Sequence, residues 1–336
     1  MSRRWVMLAV AVQLLVLAWM AGEREWIFRT GHVVYLRTAP VDPRDLFRGD
    51  FVRLLYEVNT VQREDAPAPA ARKADVPRHE VVYTRLQPAG EGLYEAAGAS
   101  ATQPSRGLFL RGRTEDSWRV APRASGGVYV KYGIEQLFVE QGSGEAIERR
   151  RGIRNGLQVP MEIEVAVAAS GKAVIRGYRW SRLGMKLEVL RRPAQRVRGA
   201  PPPEGPLSPK LRVTLANASD APLAIADTDK YCSFHLVSVT WARSSHPPAS
   251  QDCSAALSAA RTITLAPGET HSVELDLTEP RWHVLDGGNA VEMGALRTLA
   301  QYRIEYRTPQ GALAADQTLW RGRLASPSFN ANGIID

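Results

Sequence analysis

The feature that most constrains this chain is an uncharged, apolar run near its amino terminus, from Trp5 to Ala21. At about 1.5 Å of helix rise per residue, the run is near the lower limit of length for a membrane span. A cleaved signal peptide is the competing interpretation, since Val16-Leu17-Ala18 loosely fits a small-residue cleavage site. Cleavage after Ala21, however, would put the bulky Trp19 where a small residue is required. The sequence therefore favours an uncleaved anchor whose residues 5–21 contact membrane lipid.

The charges that flank this run predict its orientation. Arg3 and Arg4 precede it, whereas Gly22-Glu23-Arg24-Glu25 after it carries no net positive charge. Because basic flanks stay in the cytoplasm, the amino terminus is predicted to be cytoplasmic and the bulk of the chain to lie across the membrane. Trp19 and Trp26 stand where aromatic side chains commonly anchor a span at the membrane surface.

The overall charge excludes one class of function. The chain has a net charge of +8, from 43 basic and 35 acidic residues. A nucleic-acid-binding protein gathers its basic residues on one face, with aromatic residues for stacking or a recognisable module. Here the arginines are scattered along the whole chain, so we expect no nucleic-acid partner.

The cysteine usage fits an exported chain. Cys232 and Cys253 are the two cysteines of the sequence, and an even number in an oxidising compartment predicts a disulfide. Metal binding by the pair is the weaker interpretation, because the sequence contains neither C-x-x-C nor H-E-x-x-H. We therefore predict neither a metal site nor a cofactor.

A proline-rich segment suggests how the chain is divided. Residues 191–209, RRPAQRVRGAPPPEGPLSP, hold six prolines and two glycines and almost no apolar side chains, which is typical of a semi-rigid linker. The predicted domains are a cytoplasmic tip and transmembrane anchor (1–30), a β domain (31–190), the linker (191–209), a β-sandwich (210–325) and a tail (326–336).

Alternating patterns predict a mainly β fold on both sides of the linker. In Phe51–Val58, the side chains of Val52, Leu54, Tyr56 and Val58 fall on one face. The carboxy-terminal half has short alternating segments separated by turn signals, which favour an antiparallel sandwich. This half weakly resembles bacterial immunoglobulin-like domains, which usually act as spacers or adhesive surfaces.

One octapeptide carries the strongest motif, Gly49-Asp50-Phe51-Val52-Arg53-Leu54-Leu55-Tyr56. It resembles the signature of the GDYXXLXY family, with Phe51 in place of the first tyrosine. A second block, Tyr132-Gly133-Ile134-Glu135, also resembles the family, and the resemblance covers about residues 5–180. It implies a bacterial membrane-anchored protein of unknown biochemistry, in a family sometimes encoded beside a polytopic membrane protein. Together with the orientation predicted for the anchor, this leads us to expect a single-pass protein of the bacterial inner membrane with its bulk in the periplasm.

The same motif residues have a physical interpretation that needs no family. Gly49 can adopt a left-handed conformation and Asp50 can hydrogen-bond the backbone of a tight turn. The turn would lead into a strand that buries Leu54 and Tyr56. A catalytic interpretation of Asp50 requires a partner residue, and the sequence dictates none.

From these features we expect a non-catalytic binding or assembly module, anchored in the membrane and acting with an envelope or integral membrane protein. The alternative is a membrane-anchored envelope hydrolase whose carboxylates, Asp42, Asp45 and Asp50, lie near the motif. The arginines interleaved with these carboxylates make solvated ion pairs the simpler explanation. The sequence leaves any small-molecule ligand unknown.

Overall fold

The structure is a computed structural model of the whole chain. It describes residues 3–38, 51–62, 79–115, 127–140, 142–151, 156–192, 194, 204–228, 231–238, 245–246, 260–279, 281–286, 289–292, 301–309, 319–330 and 333–334.

The predicted anchor is the first part of a long helix, α1 (Arg3–Thr30), which is long and apolar enough to cross a membrane. The side chains of residues 5–21 are all exposed, whereas Ile27 near the end of the helix is buried. The helix ends where the Gly31 N–H donates to the carbonyl of Ile27 at 2.8 Å. The first strand begins directly afterwards at His32, so no flexible linker separates the anchor from the folded body.

The amino-terminal half is built mainly of strands. Its remaining elements are β1 (His32–Arg37), β2 (Phe51–Arg53), a 3-10 helix (Glu57–Asn59), β3 (Thr60–Gln62), β4 (Val81–Gly90), β5 (Leu93–Ser100), β6 (Phe109–Thr114), β7 (Gly127–Lys131), β8 (Gln136–Phe138), α2 (Ser143–Arg151), β9 (Leu157–Gln158), β10 (Met161–Val167), β11 (Ala173–Trp180) and β12 (Leu183–Arg191). Eight of these strands form one sheet in the order β11-β10-β1-β5-β4-β6-β7-β3. The end of α1 contacts β10 and β11.

The carboxy-terminal half is also made of short strands. They are β13 (Lys210–Asn217), β14 (Leu223–Asp227), β15 (Phe234–Ser238), β16 (Ser245–His246), β17 (Arg261–Leu265), β18 (Thr270–Asp276), β19 (Val284–Asp286), β20 (Asn289–Val291), β21 (Tyr302–Arg307), β22 (Arg323–Ala325), β23 (Phe329–Asn330) and β24 (Gly333–Ile334). The sheets β18-β13-β12-β9, β14-β17 and β16-β15-β21-β23-β24 surround one apolar core. The mainly β fold expected from the alternating patterns is confirmed.

The strand pairing differs from the predicted domain division at one point. Strand β12 precedes the proline-rich segment, yet it pairs along its length with β13 on the other side. Leu183, Met185 and Leu187 of β12 are buried in the core of the carboxy-terminal half. Residues 192–209 therefore connect two neighbouring strands of one sheet. Composition carried no information on whether the strands that flank this segment pair.

Candidate functional site

The strand of the family motif lies beside the second family block. Strand β2 pairs antiparallel with β8, with Phe51 opposite Phe138 and Arg53 opposite Gln136. The Leu54 N–H extends this pairing by donating to the carbonyl of Glu135 at 2.9 Å. Two blocks that are distant in sequence thus form a single structural unit. Gly49 and Asp50, for which a turn was predicted, lie outside the described residues.

Two tyrosines, one from each block, hold this unit together by hydrogen bonds. The Tyr56 hydroxyl donates to the carbonyl of Ile134 at 2.7 Å, and the Tyr132 hydroxyl donates to the carbonyl of Val58 at 2.7 Å. Each tyrosine therefore satisfies a main-chain carbonyl of the other's block. Thr84 of β4 lies 2.8 Å from the Tyr132 hydroxyl, which ties the unit to the main sheet. We call Tyr56 and Tyr132 the tyrosine pair.

Sequence reasoning missed Asn59, which completes the tyrosine pair's surroundings. Its side chain is fully buried. The amide oxygen accepts from the Tyr56 N–H at 2.5 Å, while the amide nitrogen donates to the carbonyl of Val130 at 2.7 Å. Capping signals place Ser, Thr, Asp or Asn before a helix and Glu or Gln three residues later. Tyr56 followed by Asn59 fits neither position, so the local pattern did not indicate Asn59.

Glu135 holds the turn of the second block. Its carboxylate accepts from the N–H groups of Tyr132 at 2.6 Å and Gly133 at 2.9 Å. Gly133 has a φ of 82°, a conformation that a residue with a side chain adopts only with strain. Burial, reinforced by the negative charges of Glu135 and Glu115, raises the pKa of the nearby Tyr129 to about 12. The functional group of Glu135 is thus engaged in shaping the turn.

The remaining described family residues divide into buried and outward-facing ones. Val52, Leu54, Ile134 and Ile147 of α2 pack in the core of the amino-terminal half. Phe138, by contrast, leaves 75% of its surface exposed. Aromatic residues are enriched where proteins bind one another, so this exposed ring is a candidate for contact with a partner.

A charged groove of about 660 Å³ opens behind the turn of the second block. Tyr132, Gly133 and Glu135 form part of its wall. The basic side chains that line it are Arg111, Arg113, Lys131 and Lys172. We call this feature the basic groove.

A second charged cluster joins the two halves of the molecule. Arg323 of β22 lies 3.1 Å from Glu57, 3.2 Å from Glu95 and 3.5 Å from Glu305. Burial acts to lower the pKa of Arg323. The attraction of Glu57, Glu305 and Glu95 outweighs burial and raises this pKa above its ordinary value. Arg37 of β1 donates to the main-chain carbonyl of Arg323. We call these residues the junction cluster.

No sequence signal could have revealed the junction cluster, because its members come from strands far apart along the chain. Arg323 and Glu57, for example, are separated by 266 positions. In the sequence, each of these charged residues resembles an ordinary surface residue.

The predicted disulfide stays a prediction. Cys232 is buried, with 2% of its surface exposed, whereas Cys253 lies outside the described residues. Among the described residues there is also no group of three or more His, Cys, Asp or Glu side chains suited to holding a metal ion.

Comparison with known proteins gave one result. Residues 13–177 match the family described as GDYXXLXY protein, which confirms the resemblance inferred from the motif. No curated protein and no solved structure matches the chain.

Proposed function

The chain belongs to the GDYXXLXY protein family through residues 13–177, and on that premise we propose that it is a membrane-anchored, non-catalytic binding or assembly module. We propose further that it lies in the periplasm, anchored in the inner membrane, and acts with an integral membrane or envelope protein. The immunoglobulin-like character of the carboxy-terminal half and the Cys232–Cys253 disulfide are part of this proposal.

The hydrogen bonds that the family residues form support a non-catalytic role. The hydroxyls of Tyr56 and Tyr132, and the carboxylate of Glu135, bond main-chain groups of their own domain. A catalytic group needs its functional atoms directed at a substrate. The described motif residues instead stabilise the surface on which Phe138 is displayed.

The join between anchor and body supports a partner in or near the membrane. A Cβ atom at Gly31 would lie only 3.0 Å from the main-chain nitrogen of Val167, so the end of the helix approaches β10 closely. The Arg176 guanidinium of β11 lies over the ring of Phe28, 5.1 Å from its centroid. The folded body is thus packed against the end of the helix that crosses the membrane. A body held in this way presents the same face to neighbouring membrane proteins at all times, which reduces the entropy lost on binding.

The observation that carries the proposal is the exposure of Phe138, an aromatic side chain on the strand that pairs with the motif strand. Aromatic residues are enriched where proteins bind one another, and single large side chains often supply much of the binding energy. We infer that Phe138 contacts the protein partner directly.

The test is to purify the full chain with its bound partners from membranes solubilised in mild detergent, and to compare it with Phe138→Ser. We expect the variant to accumulate and melt as the wild type does, but to lose a specific co-purifying protein. Leu190→Ser is the control, because Leu190 is also an exposed apolar side chain, at 39%, on β12, a strand away from the motif that packs on the carboxy-terminal core. The same set of bound proteins for wild type, Phe138→Ser and Leu190→Ser would contradict the proposal.

A further inference from the structure

The basic groove has an arrangement of charge that the fold does not need. Arg113 of β6 and Lys131 of β7 are directly opposite each other in the sheet. Like charges in that position are destabilising. Arg111 lies two residues before Arg113 on β6, and both side chains are exposed on the same face.

The neighbouring acidic groups neutralise only part of this charge. Glu115 pairs with Lys131 at 2.6 Å, and Glu23 pairs with Lys172. The carboxylate of Glu135 is occupied by two main-chain N–H groups, as described above. Arg111 and Arg113 therefore carry the uncompensated positive charge of the basic groove.

These two arginines are available to a ligand. Across the part of the chain that the structure describes, the Arg111 guanidinium makes no ion pair or hydrogen bond, and that of Arg113 donates to the carbonyl of His79 at 3.1 Å. A guanidinium offers several N–H donors in a planar fork that matches the oxygens of a phosphate group. The chemistry of the basic groove therefore fits a phosphate-bearing anion.

The position of the groove indicates where that phosphate comes from. Lys172 lines the groove and contacts Glu23 of α1. Glu23 follows the last residue of the apolar run, Ala21, by about 3 Å of helix rise. Trp26, one turn further along, is 69% exposed, as befits an aromatic residue at the membrane surface. The groove thus opens beside the membrane that α1 crosses.

We propose that the basic groove binds the headgroup of an anionic phospholipid in the leaflet next to the folded body. The inference rests on the membrane anchorage in the proposed function and adds a specific lipid contact to it. Arg111 and Arg113 would bind the phosphate, while Lys131 and Lys172 border it. The bound lipid would fix the tilt of the helix and the folded body together against the membrane surface, and so the height above the membrane at which Phe138 lies.

The test uses the full chain purified in a neutral detergent and titrated separately with dioctanoyl phosphatidylglycerol, dioctanoyl phosphatidylcholine and sodium phosphate. We expect the wild type to bind phosphatidylglycerol at least tenfold more tightly than phosphatidylcholine. The double variant Arg111→Gln/Arg113→Gln should bind phosphatidylglycerol roughly 10- to 30-fold more weakly than the wild type. Arg212→Gln/Arg261→Gln is the control, because it removes the same charge from exposed ion pairs in the other half.

Three outcomes would overturn the inference. Equal affinity for the two lipids would exclude recognition of an anionic headgroup, and equal weakening by the control would reduce the effect to net charge. Competition by phosphate at the same concentration as the lipid would identify a site for a free anion instead. Thermal melting of the double variant checks its fold. Membrane fractionation of the double variant tests the anchor separately. A variant that stays with the membranes but binds lipid normally would contradict the lipid site and leave the anchorage intact.

Discussion

The tyrosine pair and the junction cluster hold the molecule together by different chemistry. The tyrosine pair joins two segments of one domain by uncharged hydrogen bonds to main-chain carbonyls, in surroundings that are buried. The junction cluster joins two halves of the chain through an arginine surrounded by three carboxylates. Uncharged bonds define the path of a backbone and depend little on pH or salt, whereas charges act over longer distances and select which surfaces meet.

Removal of one member should also lower the free energy of unfolding by a different amount in each cluster. A buried carbonyl without its donor costs its own desolvation, about 1–3 kcal/mol. An arginine removed from the junction cluster leaves three carboxylates near one another without compensation, which costs more.

The largest effect is therefore expected for Arg323→Met. Only 21% of the Arg323 side chain is exposed, so the loss of its charge should lower the free energy of unfolding by about 3 kcal/mol. Because the contact spans the two halves, we also expect their unfolding transitions to separate. Urea unfolding of the full chain in detergent, followed by far-UV circular dichroism, measures both effects.

The control for that experiment is Arg212→Met, which removes an exposed arginine paired with Glu274. It should lower the free energy of unfolding far less than Arg323→Met does, because exposed ion pairs contribute little. If Arg323→Met were no worse than Arg212→Met, the junction cluster would not be what holds the halves together.

An intermediate effect is expected at the tyrosine pair. Tyr56→Phe and Tyr132→Phe should each lower the free energy of unfolding by about 1–3 kcal/mol, because each leaves a main-chain carbonyl without its donor. Tyr132→Phe should be the more damaging, since its hydroxyl also meets Thr84. The change in the free energy of unfolding for the double variant should differ from the sum of the two single changes, because both hydroxyls join the same two segments.

Tyr178→Phe is the control for the tyrosine pair, because the Tyr178 side chain is 43% exposed and its hydroxyl should matter by less than about 0.5 kcal/mol. Chemical denaturation of all four variants measures the differences. Unfolding free energies that match Tyr178→Phe throughout would show that the hydroxyls contribute nothing to holding the two blocks together.

The smallest effect is a pH dependence in the carboxy-terminal half. Burial and the neighbouring Arg307 lower the pKa of His235 from 6.5 to about 4, against the opposing influence of Glu305 on the facing strand. The unfolded chain therefore takes up a proton that the folded chain refuses between pH 6.5 and 4. The free energy of unfolding should accordingly fall as the pH falls through this window, by about 1 kcal/mol for each pH unit.

Replacing the imidazole with an uncharged amide, His235→Gln, should remove that contribution. Unfolding free energies at pH 7, 6, 5 and 4.5 give the slope for both proteins. An unchanged slope in His235→Gln would assign the pH dependence to other groups.

Much of the family region was predictable because its signals are local. The apolar run from Trp5 to Ala21 predicted a helix that the structure places, with side chains exposed, at the start of α1. Alternation in the motif predicted that Leu54 and Tyr56 share a buried face, and both are buried. What alternation could not supply was the partner of the Tyr56 hydroxyl, because Ile134 lies 78 positions away.

By itself, the sequence determined the elements whose cause lies within a few residues: the membrane-length helix and the alternating strands. The tertiary structure alone decided that β12 pairs with β13 across the proline-rich segment and that Arg323 meets Glu57. It also decided that Arg111 and Arg113 line one groove with Lys172, which contacts Glu23 of α1. Periodicity and turn chemistry act between neighbours in the chain. Ion pairs and grooves depend on which strands become neighbours in space, and that is settled only when the cores of both halves have packed.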